Sequence, residues 1–570
     1  MRSFPLLLAA AALTGCATLP AATTARPAST RAHLAPGMVS AADPRAAEAG
    51  AEILRAGGSA ADAVFATLLA LTVVEPQSSG IGGGGFLVYD NGGASPDTYD
   101  GRETAPAAAR GDWFFVNGKA LDFPEVVPGG RSVGVPGNVR MMALAHAKEG
   151  RLAWSKLFTP AIRLARDGFA ITPRFFEMLA DEKGTAALTA QGRALFYLPD
   201  GNPKPVGTTV RNPELAVFLD QLARRGPDYF YRGQNASAIV SAVNNAPVNL
   251  SAMTTADVIS YRAKSRPAVC GTYRATRVCG MGPPSSGGVT VLQILKQLER
   301  FDLAALGPND PRAWHLIAES MRLAYADRGL YLADGDFIDV PVAGLIDPGY
   351  LSRRSQLIAP DRAFANADAG VPSGAPKVAL GLTPDVVSTS HFVAVDKWGE
   401  VASLTSTIES SFGSGLMVNG YYLNNELTDF SLTPTGTDGR PVANRVEAGK
   451  RPRSSMSPTI VYGPDRSVRL AVGAAGGPTI IAQVAKAIIG VVDWNLTAQQ
   501  ALALPVLYAP EDTIYLERGT SAEAMVPALT ALGHKVQVRP PGFKANAIEW
   551  RDGRWQGAAD PRSEGTAIAQ

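Results

Sequence analysis

The chain has 570 residues, 46% of them hydrophobic, so it can bury a large core, and its length alone allows several domains. Lys plus Arg number 53 against 51 for Asp plus Glu, a near balance that gives no footing to nucleic-acid binding. Five scattered histidines and three cysteines show no paired metal-ligand spacing, which argues against a zinc site.

The chain opens Met1-Arg2-Ser3, and Phe4 to Leu13 is almost wholly apolar. At about ten residues this run is too short to span a bilayer and has the n-region and h-region of a secretory signal. Leu13-Thr14-Gly15-Cys16 resembles a bacterial lipobox, in which Cys16 becomes the lipidated first residue. A chance Cys in an ordinary signal peptide is the alternative. Ala17, in place of Asp, fits outer-membrane sorting if the source is Gram-negative. Residues 16–35, rich in Ala, Thr and Pro, read as a flexible tether after a signal peptide at 1–15. Beyond it no run is long and apolar enough for a transmembrane helix.

Asp43 followed by Pro44 predicts a helix start, and Gly57-Gly58 its end. A second helix is expected from Ala60 to Val74, stopping at Glu75-Pro76. Gly80, Gly82 and Gly85 satisfy G-x-G-x-x-G, but the loop follows a helix and precedes the strand Phe86 to Asp90. A dinucleotide loop has the reverse context, so these glycines are read as close backbone packing. Residues 134–330 look mainly helical, broken by a hairpin centred on Arg274-Ala275. That hairpin puts Cys270 and Cys279 opposite each other, within disulfide reach; two free buried thiols are the other option. Asp310-Pro311 caps a long helix carrying His315, Glu319 and Arg322. A Gly/Pro/Ala-rich stretch from Gly370 to Pro384 reads as an exposed linker. After it come a strand from Phe392 to Val395, a turn at Lys397-Trp398-Gly399 and a strand from Val401 to Thr407. A helix from Pro478 to Trp494 follows Gly476-Gly477, and Thr497 with Gln500 makes a capping box for another. Strand pairs layered between helices argue for an α/β sandwich.

Several motifs recur in a fixed order: Ala42-Asp43-Pro44, Val74-Glu75-Pro76-Gln77-Ser78-Ser79-Gly80, and Arg102-Glu103-Thr104. Pro283-Pro284-Ser285-Ser286-Gly287-Gly288, Asn424-Asn425-Glu426 with Asp429-Phe430, and Arg453-Ser454-Ser455-Met456 continue the series. With Ser388-Thr389-Ser390-His391, the chain from Gly37 to Gly565 resembles the γ-glutamyltranspeptidases, Ntn-hydrolases that cut themselves before a threonine. The resemblance implies an αββα four-layer sandwich of two autoprocessed subunits, residues 36–388 and 389–570, that stay together as one unit. It implies no cofactor and no metal, and a small-molecule substrate such as glutathione.

The chemistry fits the residues. A threonine hydroxyl needs a nearby base, and cleavage between Ser388 and Thr389 would free an α-amine of ordinary pKa near 8 to serve as one. Thr407 faces Thr389 across the hairpin, and the resemblance makes it a hydrogen-bond partner. His391 shares the face of Thr389 but is read as structural, because the family mechanism uses the α-amine. Gly476 and Gly477, at the start of a helix, match the family's oxyanion hole. Arg102, Ser454 and Ser455 match the groups that hold a substrate α-carboxylate, and Glu426 and Asp429 those that hold its α-ammonium.

Two departures bear on preference. Glu409 stands where many members carry Asn; a third carboxylate there could strengthen ammonium binding, disfavour donors lacking an amine, or turn away to a backbone group. The stretch Leu432 to Arg453 has no aromatic residue, which implies an open site without the family's lid. The expected activity is γ-glutamyl transfer to water, amino acids or peptides. The alternatives are a glutaryl-type cephalosporin acylase of the same superfamily and a non-catalytic binding lipoprotein.

Overall fold

The computed structural model describes Met1 and residues 33–381, 388–542 and 544–570. Cys16 and most of the expected tether lie outside the described residues, as do positions 382–387 just before the expected cleavage point.

The strands that build the site are β1 (Met38–Ala41), β2 (Gly84–Asp90), β3 (Asp97–Asp100), β4 (Lys264–Arg266), β5 (Val269–Tyr273), β6 (Thr276–Gly280), β7 (Ser390–Val395), β8 (Val401–Thr407), β9 (Thr459–Tyr462), β10 (Val468–Ala475), β11 (Lys544–Arg551), β12 (Arg554–Ala559) and β13 (Thr566–Ala569). One seven-stranded sheet runs β13-β1-β7-β8-β2-β3-β4, and a six-stranded sheet runs β12-β11-β10-β9-β6-β5. Every pairing in both is antiparallel. The sheets pack face to face, β7 and β8 against β10, and β7 against β11.

Helices cover both outer faces. α1 (Pro44–Arg55) and α2 (Ala60–Val74) pack together, and α2 lies on β7 and β8. Every residue of α2 is buried. It is apolar all round because it sits between the sheet and further helices. Ser59 caps it in a reciprocal box with Asp62, and Pro76 prevents its continuation. On the other side, α3 (Gly287–Leu298) packs against α4 (Pro311–Tyr331) and α5 (Thr479–Val492), and α5 against β10. Helix, sheet, sheet, helix is the expected four-layer αββα order.

The predicted starts and stops of α1 and α2 hold, as does the start of α4, with Asp43 and Asp310 as side-chain caps of α1 and α4 where expected. The glycine loop is a packing device: a Cβ on Gly82 would sit 2.0 Å from the Tyr422 carbonyl oxygen. Cys270 and Cys279 pair across β5 and β6 and are joined by a disulfide. The small three-stranded sheet of Leu507–Tyr508, Thr513–Glu517 and Lys535–Arg539 was not foreseen.

Candidate active site

Thr389 stands one residue before β7, opposite Thr407 at the end of β8, since Ser390 pairs with Ser406. Its hydroxyl donates to the Thr407 hydroxyl at 3.0 Å. Thr407 also accepts from the Glu409 N–H at 2.8 Å, so its oxygen has a fixed orientation. Thr389 has φ 101°, a region that a β-branched residue enters only under constraint, at about 1–3 kcal/mol.

The Ser388 carbonyl, half of the Ser388-Thr389 bond, accepts from the Gly476 N–H at 3.1 Å. Gly476 and Gly477 follow β10 with φ 125° and 56°, a turn that glycine makes at little cost. The first turn of α5 closes on them: Thr479 Oγ1 donates to the Gly476 carbonyl at 2.7 Å, turning that oxygen away from the site. Ser388 is held by its own hydroxyl, which donates to the Gln77 carbonyl at 3.1 Å.

His391 takes the structural role. Its ring lies against Gly473 of β10, and Nδ1 is 2.8 Å from the Thr405 hydroxyl. Burial pushes its pKa down to about 3, which keeps the ring neutral at physiological pH.

The expected recognition residues converge. Arg102 is wholly buried, and its guanidinium pairs with both Glu426 and Asp429. The same fork donates to the carbonyls of Pro452 and Arg453, each at 3.1 Å. The resemblance gives Arg102 the substrate α-carboxylate and Glu426 and Asp429 its α-ammonium, on opposite sides of the donor. Instead the three form one cluster, because a buried guanidinium without an anion is strongly disfavoured. Glu409 joins them: ligand atoms of Glu409, Glu426 and Asp429 lie within 4.8 Å of one another. Burial, then the charge of Asp429, pushes the Glu409 carboxyl well above its ordinary range. Burial raises Glu426 to about 7 against the pull of Arg102. Glu409 has φ 77°, where Asn is far better tolerated than Glu, so this substitution carries backbone strain.

Ser454 and Ser455 sit on the neighbouring loop. The Ser454 hydroxyl accepts from the Met456 N–H at 3.1 Å. The Ser455 hydroxyl accepts from Arg328 of α4 at 2.6 Å, and Arg328 also donates to Ser286 at 2.9 Å. Sequence reasoning missed Arg328. It also missed Glu103, buried beside Glu426 with both carboxyl oxygens unpartnered and its pKa raised by burial. Glu103 stood inside a quoted motif; Arg328 had no signal, because α4 is buried on nearly all sides.

The stretch expected to lack a lid forms a loop pinned by bridges between Ser431 and Arg445 and between Thr435 and Pro441. Its tip is exposed, and Asp429 keeps 17% of its side chain accessible.

A strained threonine, a glycine amide on the preceding carbonyl and a buried arginine–carboxylate cluster are the arrangement expected of an Ntn-type amide-cleaving site. The sequence model described as gamma-glutamyltranspeptidase matches residues 46–570, and the chain belongs to that family. The glutathione hydrolase proenzyme of Bacillus subtilis (strain 168) is 37% identical, over 93% of this chain and 91% of the relative. That of Escherichia coli (strain K12) is 34% identical over 92% and 90%. The acylase ACY 1 proenzyme of Pseudomonas sp. (strain SE83) is also 34% identical, over 94% and 93%. Among solved structures, cephalosporin acylase from Bacillus halodurans superposes with a TM-score of 0.83 at 25% identity, over 97% of this chain and 98% of that one. Helicobacter pylori gamma-glutamyltranspeptidase gives 0.55 at 34% identity, over 60% of this chain and 95% of that one.

Proposed function

We propose that the chain is a precursor that cuts itself between Ser388 and Thr389 and then acts as a γ-glutamyltransferase and glutathione hydrolase. The observation that carries this reading is the Gly476 N–H already bonded to the Ser388 carbonyl while Thr389 is held strained beside it. A donor on the carbonyl that must become an oxyanion lowers the barrier to its attack.

In the first step the Thr389 hydroxyl adds to the Ser388 carbonyl carbon, the C–N bond to Thr389 breaks, and that nitrogen takes up the proton. Water then cleaves the resulting ester, leaving a carboxylate on Ser388 and a free amine on Thr389. In turnover that amine accepts the Thr389 hydroxyl proton as the oxygen attacks the γ-carbonyl of a donor. Gly476 and Gly477 face the oxyanion, the leaving amine takes the proton, and a γ-glutamyl ester remains. Water or an amine releases it. Thr407 orients the nucleophile throughout.

Arg102, Ser454 and Ser455, with Arg328 behind Ser455, bind the donor α-carboxylate. Glu426, Asp429 and Glu409 bind its α-ammonium, which supplies the positive charge this acidic cluster lacks. Glutaryl donors carry no such charge. The likeness to acylases keeps those donors as the second reading, favoured if they are turned over faster.

The test is intact-mass analysis of the purified protein beside Thr389→Ala, then assays with γ-glutamyl and glutaryl anilides. Two fragments meeting at residue 389, absent in the variant, support the reading. A chain that stays whole on incubation overturns it and promotes the binding-protein alternative. We also place the protein in the cell envelope, lipid-anchored at Cys16, with 36–388 and 389–570 as subunits. Labelled fatty acid incorporated by the wild type and absent from Cys16→Ser tests the anchor.

A further inference from the structure

Lys544 opens β11 opposite Ala475, the residue before Gly476. It is 3% exposed, and its ammonium reaches the Glu75 carboxylate at 2.8 Å, the Ser78 hydroxyl at 3.1 Å and the Ser390 hydroxyl at 3.2 Å. Ser390 in turn donates to the same Glu75 oxygen at 2.8 Å. Glu75 is 5% exposed and sits at the end of α2.

This buried ion pair touches three of the segments that shape the catalytic centre. Ser390 is the residue after Thr389. Ser78 lies one residue from Gln77, whose carbonyl holds Ser388. Ala475, paired with Lys544, leads into the oxyanion turn. A buried pair costs desolvation on both sides and is seldom stabilising in itself, so its place here calls for another role. Glu75 belongs to the segment before the expected cut, Ser390 and Lys544 to the segment after it. Once Ser388 is released, Ser390 is the nearest fixed point for the new amino terminus.

Resting on the reading of Thr389 as nucleophile, we propose that Lys544 and Glu75 are positioning residues. Through Ser390 they hold the freed Thr389 amine in place, and their balanced charges set its proton affinity. Arg174, Arg45 and Asp43 also face the pair, and Arg174 adds a second pull toward the ionised form of Glu75. Of the other titratable groups, the neutral His391 lies in β7 two residues after Thr389, and Glu409 is linked to Thr389 through Thr407.

The signs follow from charge. The amine works as a base only when neutral, so kcat/KM falls below its pKa. Lys544→Met leaves an unpaired anion, which favours the ammonium and moves the acid limb to higher pH. Glu75→Gln leaves an unpaired cation and moves it to lower pH. Both should lower kcat about tenfold to a hundredfold with little change in KM, and Lys544→Arg should restore most of the loss.

The experiment is the pH profile of kcat and kcat/KM on a γ-glutamyl anilide for wild type, Lys544→Met, Glu75→Gln, Lys544→Arg and the Glu75→Gln/Lys544→Met double variant, with processing scored by mass. Opposite shifts in the two single variants support the proposal; shifts of the same sign, or none with wild-type kcat, overturn it. Should a single variant not fold, the uncharged double decides: lowered kcat with a near-native acid limb supports the proposal, and wild-type kcat overturns it. Failure of Thr389 as nucleophile is read separately, since the wild type itself would then stay uncut.

Discussion

Gly83 and Thr407 approach so closely that a Cβ on Gly83 would lie 1.9 Å from the Thr407 carbonyl oxygen. Gly83 directly precedes β2 and the atom it would meet is backbone at the end of β8, so neither side can yield without moving the nucleophile's partner. Gly83→Ala should destabilise the precursor by about 3 kcal/mol and stop its cleavage. Thermal unfolding together with a denaturing gel checks it.

Thr407→Val removes the acceptor of the Thr389 hydroxyl and strands the Glu409 N–H. Processing should slow about a hundredfold, while Thr407→Ser stays near wild type. Time courses of fragment appearance measure this, and equal rates for Val and Ser would refute the hydrogen-bond role.

The strain at Thr389 can be weighed without any chemistry. Thr389→Gly and Thr389→Ala both lack the hydroxyl and should remain whole. At φ 101° the glycine variant should be the more stable by about 1 kcal/mol, opposite to the usual order. Urea denaturation of the two precursors reads the difference.

Glu426 carries a pH signature. Burial lifts its carboxyl from the ordinary 4.5 to about 7, so the folded state holds a proton that the unfolded chain releases earlier. Its contribution is therefore fully present below the ordinary value and lost as pH rises through about 7. Melting temperatures of ligand-free Thr389→Ala should fall across that window, and fall less in a Glu426→Gln background. A donor analogue bearing an α-ammonium should flatten the slope.

Arg102→Lys keeps a charge but cannot span Glu426 and Asp429 together with two carbonyls. KM for γ-glutamyl anilides should rise about tenfold to a hundredfold with a smaller change in kcat. Steady-state kinetics on the processed enzyme decides the point.

Thr389, the glycine pair, Arg102 and the acids could be named from the sequence because each matches a motif of the family that the chain resembles, and the structure brings Arg102 and the acids into one cluster. Strand pairs between helices made an α/β sandwich legible, and the αββα order came from the family resemblance. The pairing of Arg102 with Glu426 and Asp429 in the ligand-free protein was not, since charge neutrality in a buried site depends on tertiary contacts. Lys544 had no signal at all: its partner Glu75 is 469 residues away, and an isolated lysine at a strand start reads as an ordinary surface residue. Arg328 was hidden because a helix buried on most sides offers no polar face to single out a residue.

Met38 of β1 pairs with Val395 of β7 on one side and with Ala569 of β13 on the other. Among the described residues, the earliest strand of this sheet thus waits for the latest before the sheet is complete. Such long-range closure is slow to form and late to pay back its lost entropy. On the proposed reading, self-cleavage needs this sheet to hold Thr389 in its strained pose, and a chain ending before β13 should stay uncut. The topology would then let only a chain with both edge strands in place reach the strained pose.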